Sequence, residues 1–200
     1  MKKRAESYFG LHFDFHANES TKDIGGEFSD AVLEEILRKV KPDFVQCDTK
    51  GHPGVSSYPT KAGYASPAIK ADILKKWREI TAKRDVALYA HYSGIFDIKQ
   101  GESHPEWRAA NADGSPCREM MSTFGGYAKQ ILIPQLIELA NGYRLNGAWV
   151  DGDCWVAPID YGKEAQDEWI KTHNCQAPKP GEAGFEKYKA FCRQGFLWTG

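Results

Sequence analysis

Apolar and polar residues alternate strictly over Tyr8–His16. Leu11, Phe13 and Phe15 fall on one side, and Gly10, His12, Asp14 and His16 on the other, the period of a β-strand. A half-buried strand usually turns its polar face to water. Two histidines and an aspartate on that face suit a barrel interior near its mouth instead. The pattern then changes to a helical period over Asp30–Val40, where Ala31, Leu33, Ile36, Leu37 and Val40 share a face, Ser29 is placed to cap, and Pro42 stops the helix. Further strands are predicted at Asp43–Asp48, Asp85–Tyr92 and Asn146–Asp151, the last as a buried strand ending in acids. Further helices are predicted at Ala68–Lys83, Thr123–Asn141 (with a kink-prone Pro134) and Phe185–Leu197. The intervening stretches, including Ser93–Glu119, read as loops.

Strand and helix thus alternate four times, which argues for a parallel sheet covered by helices. An open doubly wound sheet and a (β/α)8 TIM barrel both fit. No GxGxxG or GxxxxGK follows a strand, so the nucleotide-binding open sheet lacks its signature. Long loops rich in His, Asp, Lys, Tyr and Trp after each strand favour the barrel. A full barrel takes about 250 residues. Residues 1–200 are therefore expected to be the N-terminal half of a larger α/β catalytic domain, with about four β/α units.

Composition narrows the function. The net charge is -1 with both signs interspersed, so neither a nucleic-acid nor a membrane-surface partner is indicated. No apolar run approaches the roughly 20 residues of a membrane span. The first residues, MKKRAESYF, lack the apolar core of a signal peptide, so the chain as written reads as cytoplasmic. Five scattered cysteines form no CxxC pair; they read mostly as free thiols, with Cys175–Cys192 the best disulfide candidate in an oxidising compartment.

The stretch Asn146–Trp155, NGAWVDGDCW, carries the clearest chemistry. Asp151 and Asp153 close an apolar strand beside Trp149, and carboxylates are rarely buried unless paired, so such a strand delivers them to a cleft. The other strand ends add His12, Asp14 and His16; Asp48, Lys50 and His52; and Tyr89, His91 and Tyr92. Glycoside cleavage needs a carboxylate nucleophile or base, a second acid, hydroxyl ligands and an aromatic wall. All but a clearly assigned second acid are present. Asp153 lies roughly 6.6 Å from Asp151 along an extended chain, yet neighbouring acids on one strand rarely flank a bond, so Asp153 is assigned to substrate contact.

These residues resemble a known family. WVDGDCW resembles the strand-four WNDxGW or WFDG segment of α-L-fucosidases, DTKGHPGV resembles their strand-two AKHHDGF segment, and HYSGIFD resembles their YYSGxxDW segment. FGLHFDFHA sits where their first strand carries a sugar-binding His, and the segments at Tyr58–Gly63 and His104–Gly114 are similar to those of glycoside hydrolases near that family. The likeness covers residues 8–155 in patches. It implies Asp151 as nucleophile of a retaining glycosidase. It also implies His12, His16 and His52 as hydroxyl ligands, Tyr92 and Trp149 as pocket residues, and a carbohydrate substrate, with no metal or other cofactor required. Relatives of this kind are often exported. The chain departs from the pattern at Gly51 and Pro53, where the family has His and Asp, and the family's general acid/base lies beyond residue 200. Two rivals compete: a metal-dependent hydrolase, for which the HxH, HExxH and HxxEH spacings are missing, and a catalytically silent carbohydrate-binding barrel.

Overall fold

The computed structural model describes residues 4–151 and 159–199. In chain order the elements are β1 (Gly10–Phe13), α1 (Asp30–Val40), β2 (Phe44–Lys50), β3 (Val55–Ser56), β4 (Tyr64–Ala65), α2 (Ile73–Lys83), β5 (Ala87–Ser93) and α3 (Ile98–Ser103). They continue with β6 (Arg108–Ala110), β7 (Pro116–Met121), α4 (Ile133–Ile137), β8 (Gly147–Asp151), α5 (Lys163–His173) and α6 (Phe185–Thr199). The chain is α/β. β1, β2, β5 and β8 are parallel and lie side by side in chain order, with Val45 of β2 opposite Leu11 on one side and Leu88 on the other. The short β3 pairs with the tip of β2 at Lys50, and β4 pairs with β3. Among the described residues, β8 is bonded on one side only.

One face of the sheet makes the core. Val45 and Cys47 of β2 and Leu88, Ala90 and Tyr92 of β5 pack against Leu33 and Leu37 of α1 and Leu74, Trp77 and Ile80 of α2. Period-2 geometry sends the intervening residues, Gln46, Asp48 and His91, to the other face. α1 forms where its apolar period places it: Ser29 Oγ accepts from the Val32 N–H at 3.4 Å, and Lys41 ends it in a left-handed conformation (φ 52°) before Pro42.

Several elements differ from expectation. β1 ends at Phe13, so Asp14, Phe15 and His16 belong to a loop and Phe15 is 62% exposed. α2 begins at Ile73, where Asp72 caps the Lys75 N–H; Ile69 instead bridges to Ile24. The helix expected at Thr123–Asn141 covers residues 128–142, with π-helical ends (Ala128–Leu132 and Glu138–Gly142) around α4. Pro134 lacks an N–H and would crowd the carbonyl four residues back; the wider π turn before it relieves that conflict. β8 is an edge strand rather than a buried one, with Trp149 50% exposed. The loop expected over Ser93–Glu119 contains α3 and most of the β6–β7 hairpin, and α5 fills part of the next. Tyr161, Trp169, Tyr188, Phe191 and Cys192 form a second core there. Cys47, Cys117, Cys175 and Cys192 are free thiols, in line with the reading of most cysteines as free, and the candidate pair Cys175–Cys192, one exposed and one buried, is not bonded. Among the described residues no helix is long and apolar enough to cross a membrane.

Candidate active site

The site lies at the carboxyl ends of the parallel strands. His12, Asp14, Gln46, His91, Trp149 and Asp151 line a cavity of about 230 Å³. The register explains why: His12 is opposite Gln46, Asp48 opposite His91, and His91 opposite Trp149. Each strand therefore presents a polar side chain at nearly the same height on the face away from the core.

His91 is the hub. It is 3% exposed, and its Nε2 lies 3.4 Å from Asp151 Oδ2 while its Nδ1 lies 3.7 Å from Asp48 Oδ1. The His12 ring meets it edge-on at 4.7 Å and the His16 ring stacks on it at 5.0 Å. Burial lowers the His91 pKa, partly offset by the Asp151 carboxylate, so the site favours the neutral imidazole, whose Nε2 faces Asp151. Asp48 sits beneath, its side chain 1% exposed, with Oδ1 3.3 Å from His16 Nε2. Burial, reinforced by the charge of Asp14, pushes its carboxyl up to about 7.

His16 reaches the site because Gly51 leaves room. A Cβ at Gly51 would stand 2.7 Å from the His16 ring. The departure from the family pattern at Gly51 is thus filled in space by a histidine delivered from the loop after β1. His52 lies further out, its ring 6.3 Å from that of His16 and 4.6 Å from Phe96.

Among the described residues, three expected ones are not in the lining of this cavity: His16 and His52, placed above, and Tyr92. Tyr92 is fully buried on the opposite face, where its hydroxyl donates to Gln135 Oε1 and its ring packs in the core. As the neighbour of His91 on one strand it has to face the other way. Asp153 lies outside the described residues. Asp48 and His91, conversely, were read as strand-end polar groups without an assigned role, and alternation from His12 and across the pairings would have marked both.

Lys50, read from the sequence as one of the polar groups at the end of the second strand, does not join the site. The β2–β5 register shifts between Asp48 and Lys50, and this bulge turns Lys50 into the protein. There its Nζ donates to Asp97 Oδ2 at 2.8 Å and approaches the Tyr127 hydroxyl at 2.6 Å, with the Tyr92 ring centroid 4.5 Å away. Asp97 Oδ1 also accepts the Gln100 N–H at the start of α3. This buried knot ties the end of β2 to the loop after β5, and Ile98, the residue after Asp97, donates its N–H to the His52 carbonyl at 3.1 Å.

No protein-family model and no curated protein matches the chain. Solved structures do match. The α-L-fucosidase isoenzyme 2 from Paenibacillus thiaminolyticus superposes with a TM-score of 0.81 at 20% identity, over 96% of this chain and 29% of that one. The α-L-fucosidase from Bacteroides thetaiotaomicron gives 0.51 at 21% identity (76% of this chain, 31% of that one). The α-L-fucosidase from Vibrio sp. strain EJY3 gives 0.51 at 18% identity (72% and 24%). The chain therefore spans less than a third of the length of each. In fold it is the counterpart of one part of an α-L-fucosidase.

Proposed function

We propose that the chain is the N-terminal part of a retaining glycoside hydrolase of the α-L-fucosidase type, built on a (β/α)8 barrel, with Asp151 as nucleophile. The observation that carries this reading is the position of Asp151. It stands at the carboxyl end of the fourth parallel strand, partly exposed, beside a buried neutral histidine in a cavity walled by Trp149. Barrel enzymes place their reacting groups at that end. The fold likeness to α-L-fucosidases supports the same reading.

In this mechanism an Asp151 oxygen attacks the anomeric carbon as the bond to the leaving oxygen breaks, giving a covalent glycosyl-enzyme. A general acid outside the described residues protonates the leaving oxygen, then activates the water that releases the sugar. The His91 N–H orients Asp151. His12, His16 and His52 bind sugar hydroxyls, and the exposed Trp149 face covers the apolar side of the ring. Tyr92 acts only from behind the sheet.

The test is intact-mass labelling with 2-fluoro glycosyl fluorides of fuco and galacto configuration, on the natural chain and on Asp151→Ala. One adduct on the natural chain and none on the variant is the expected result. A cooperatively folded protein that takes no label would remove Asp151 from the nucleophile's role.

A further inference from the structure

His16, Asp48, His91 and Asp14 come from the loop after β1, from β2 and from β5, and bring one potential ligand atom each into a single cluster. All four atoms lie within 4.8 Å of one another. The nearest approaches are 3.1 Å for His16 Nε2 to Asp14 Oδ1, 3.3 Å for His16 Nε2 to Asp48 Oδ1, and 3.7 Å for His91 Nδ1 to Asp48 Oδ1. Two ligands each about 2.0–2.1 Å from a tetrahedral ion stand roughly 3.3–3.4 Å apart, so these separations bracket the edge of such a polyhedron.

The hydrogen bonding points the same way. His16 Nε2, both Asp48 oxygens and His91 Nδ1 are buried, and none has an aligned hydrogen-bond partner in the protein. Buried polar groups are ordinarily satisfied, and Asp48 and His91 are more than nine-tenths buried. A cation held between these two carboxylates and two imidazoles would satisfy all four at once. The nearby Lys50 cannot serve, because the bulge commits it to Asp97 on the far side of β2. The other nitrogen of His91 faces Asp151 at 3.4 Å, the carboxylate–histidine arrangement that orients metal-bound imidazoles.

We propose that these four side chains form a binding site for a zinc-class divalent transition-metal ion, with Asp151 as the outer carboxylate on His91. Mixed imidazole and carboxylate donors suit zinc, cobalt or nickel over calcium or magnesium, which take oxygen ligands. Asp48 and His91 form the buried floor, and the more exposed Asp14 and His16 form the entry side. The usual sequence spacings are missing because the ligands come from three separate segments. Occupancy would hold His16 away from a sugar hydroxyl, so the ion and the sugar would compete for this corner of the cavity.

The full chain, stripped with a chelator, is titrated with zinc and desalted, and retained metal is counted by elemental mass spectrometry. Cobalt(II) replaces zinc in a parallel titration read by visible absorption. One retained zinc per chain is expected, with the intense bands of a low-coordinate cobalt site. His16→Ala and Asp48→Asn should each weaken zinc by at least about 100-fold, and Asp151→Asn by about 10–100-fold. His104→Ala, a histidine paired with Glu106 on the surface, should change nothing. His16 lies in a loop, so its variant decides the case if Asp48→Asn folds poorly. Absence of retained zinc in the natural chain, or equal retention in His16→Ala, would overturn the proposal. Zinc retention reads the cluster and glycosyl labelling reads Asp151, so each proposal can fail while the other stands.

Discussion

The pair Lys50–Asp97 offers a quantitative test of how the site is held. Both side chains are 1% exposed and their charged atoms are 2.8 Å apart. Lys50→Met removes the ammonium but keeps most of the stem's volume. It leaves Asp97 ionisable in the interior, with the Tyr127 hydroxyl and the Gln100 N–H as its remaining hydrogen-bond donors. Breaking a buried pair by removing one partner costs about 3–5 kcal/mol; the two remaining donors place Lys50→Met at the lower end, about 3 kcal/mol. Asp97→Asn strands the ammonium and also weakens the α3 cap, so about 4 kcal/mol is expected. The double variant should cost less than the two singles together, by about 1–3 kcal/mol. Urea titrations followed by tryptophan fluorescence and far-ultraviolet circular dichroism give these values by linear extrapolation. Against a typical total of about 5–15 kcal/mol, each single variant removes a large share of the stability. Raising the salt to 1 M should leave the coupling in place, since buried pairs are weakly screened. A single variant costing less than about 1 kcal/mol, or strict additivity, would refute the idea that this pair anchors the end of β2.

Other positions make separate predictions. Gly54 has φ +79°, and a Cβ there would lie 2.0 Å from Asp97 Oδ1, so Gly54→Ala should lower the melting temperature by several degrees at about 1–3 kcal/mol. Gly51→Ala would bring a Cβ 2.7–3.0 Å from His16 Cγ, Cδ2 and Cβ, so it should displace His16 and weaken zinc retention about as much as His16→Ala does. Gln135→Leu deprives the Tyr92 hydroxyl of its acceptor and Ser56 and Thr60 of a donor; about 1–3 kcal/mol of stability should be lost in a denaturant titration. Cys175 is exposed while Cys47 and Cys192 are buried, and burial raises the Cys192 thiol to about 11. A thiol reagent should therefore modify Cys175 on the order of tenfold faster or more, as read by peptide mapping.

Strong local signals were legible in the sequence. The Ser29 cap and Pro42 fixed α1 to the residue, and hydrophobic period and strand order foretold a parallel sheet. Asp151 stood out because an acid closed an apolar strand. Tyr92 was misplaced because its motif was weighed and its parity beside His91 was not. Lys50 could not be placed by alternation at all, since the bulge after Asp48 reverses its direction and arises from tertiary pairing. α5 escaped because Ala165 and Trp169 are its only buried residues and Gly162 caps it with no side chain. The β6–β7 hairpin did leave a mark, the Asp113–Gly114 turn pair, with Gly114 at φ +85°. The convergence of Asp14, His16, Asp48 and His91 is a property of the register and has no counterpart in any single segment.

The edge position of β8 has a consequence for control. Asp151 sits on a strand that is bonded to β5 on one side and to no second strand among the described residues, and open strand edges recruit a neighbour. The Asp151 carboxylate, the proposed nucleophile, is thereby placed at a seam. On the reading proposed for Asp151, the histidine side of the pocket is complete within β1, β2 and β5, whereas the surroundings of the carboxylate depend on what closes that seam.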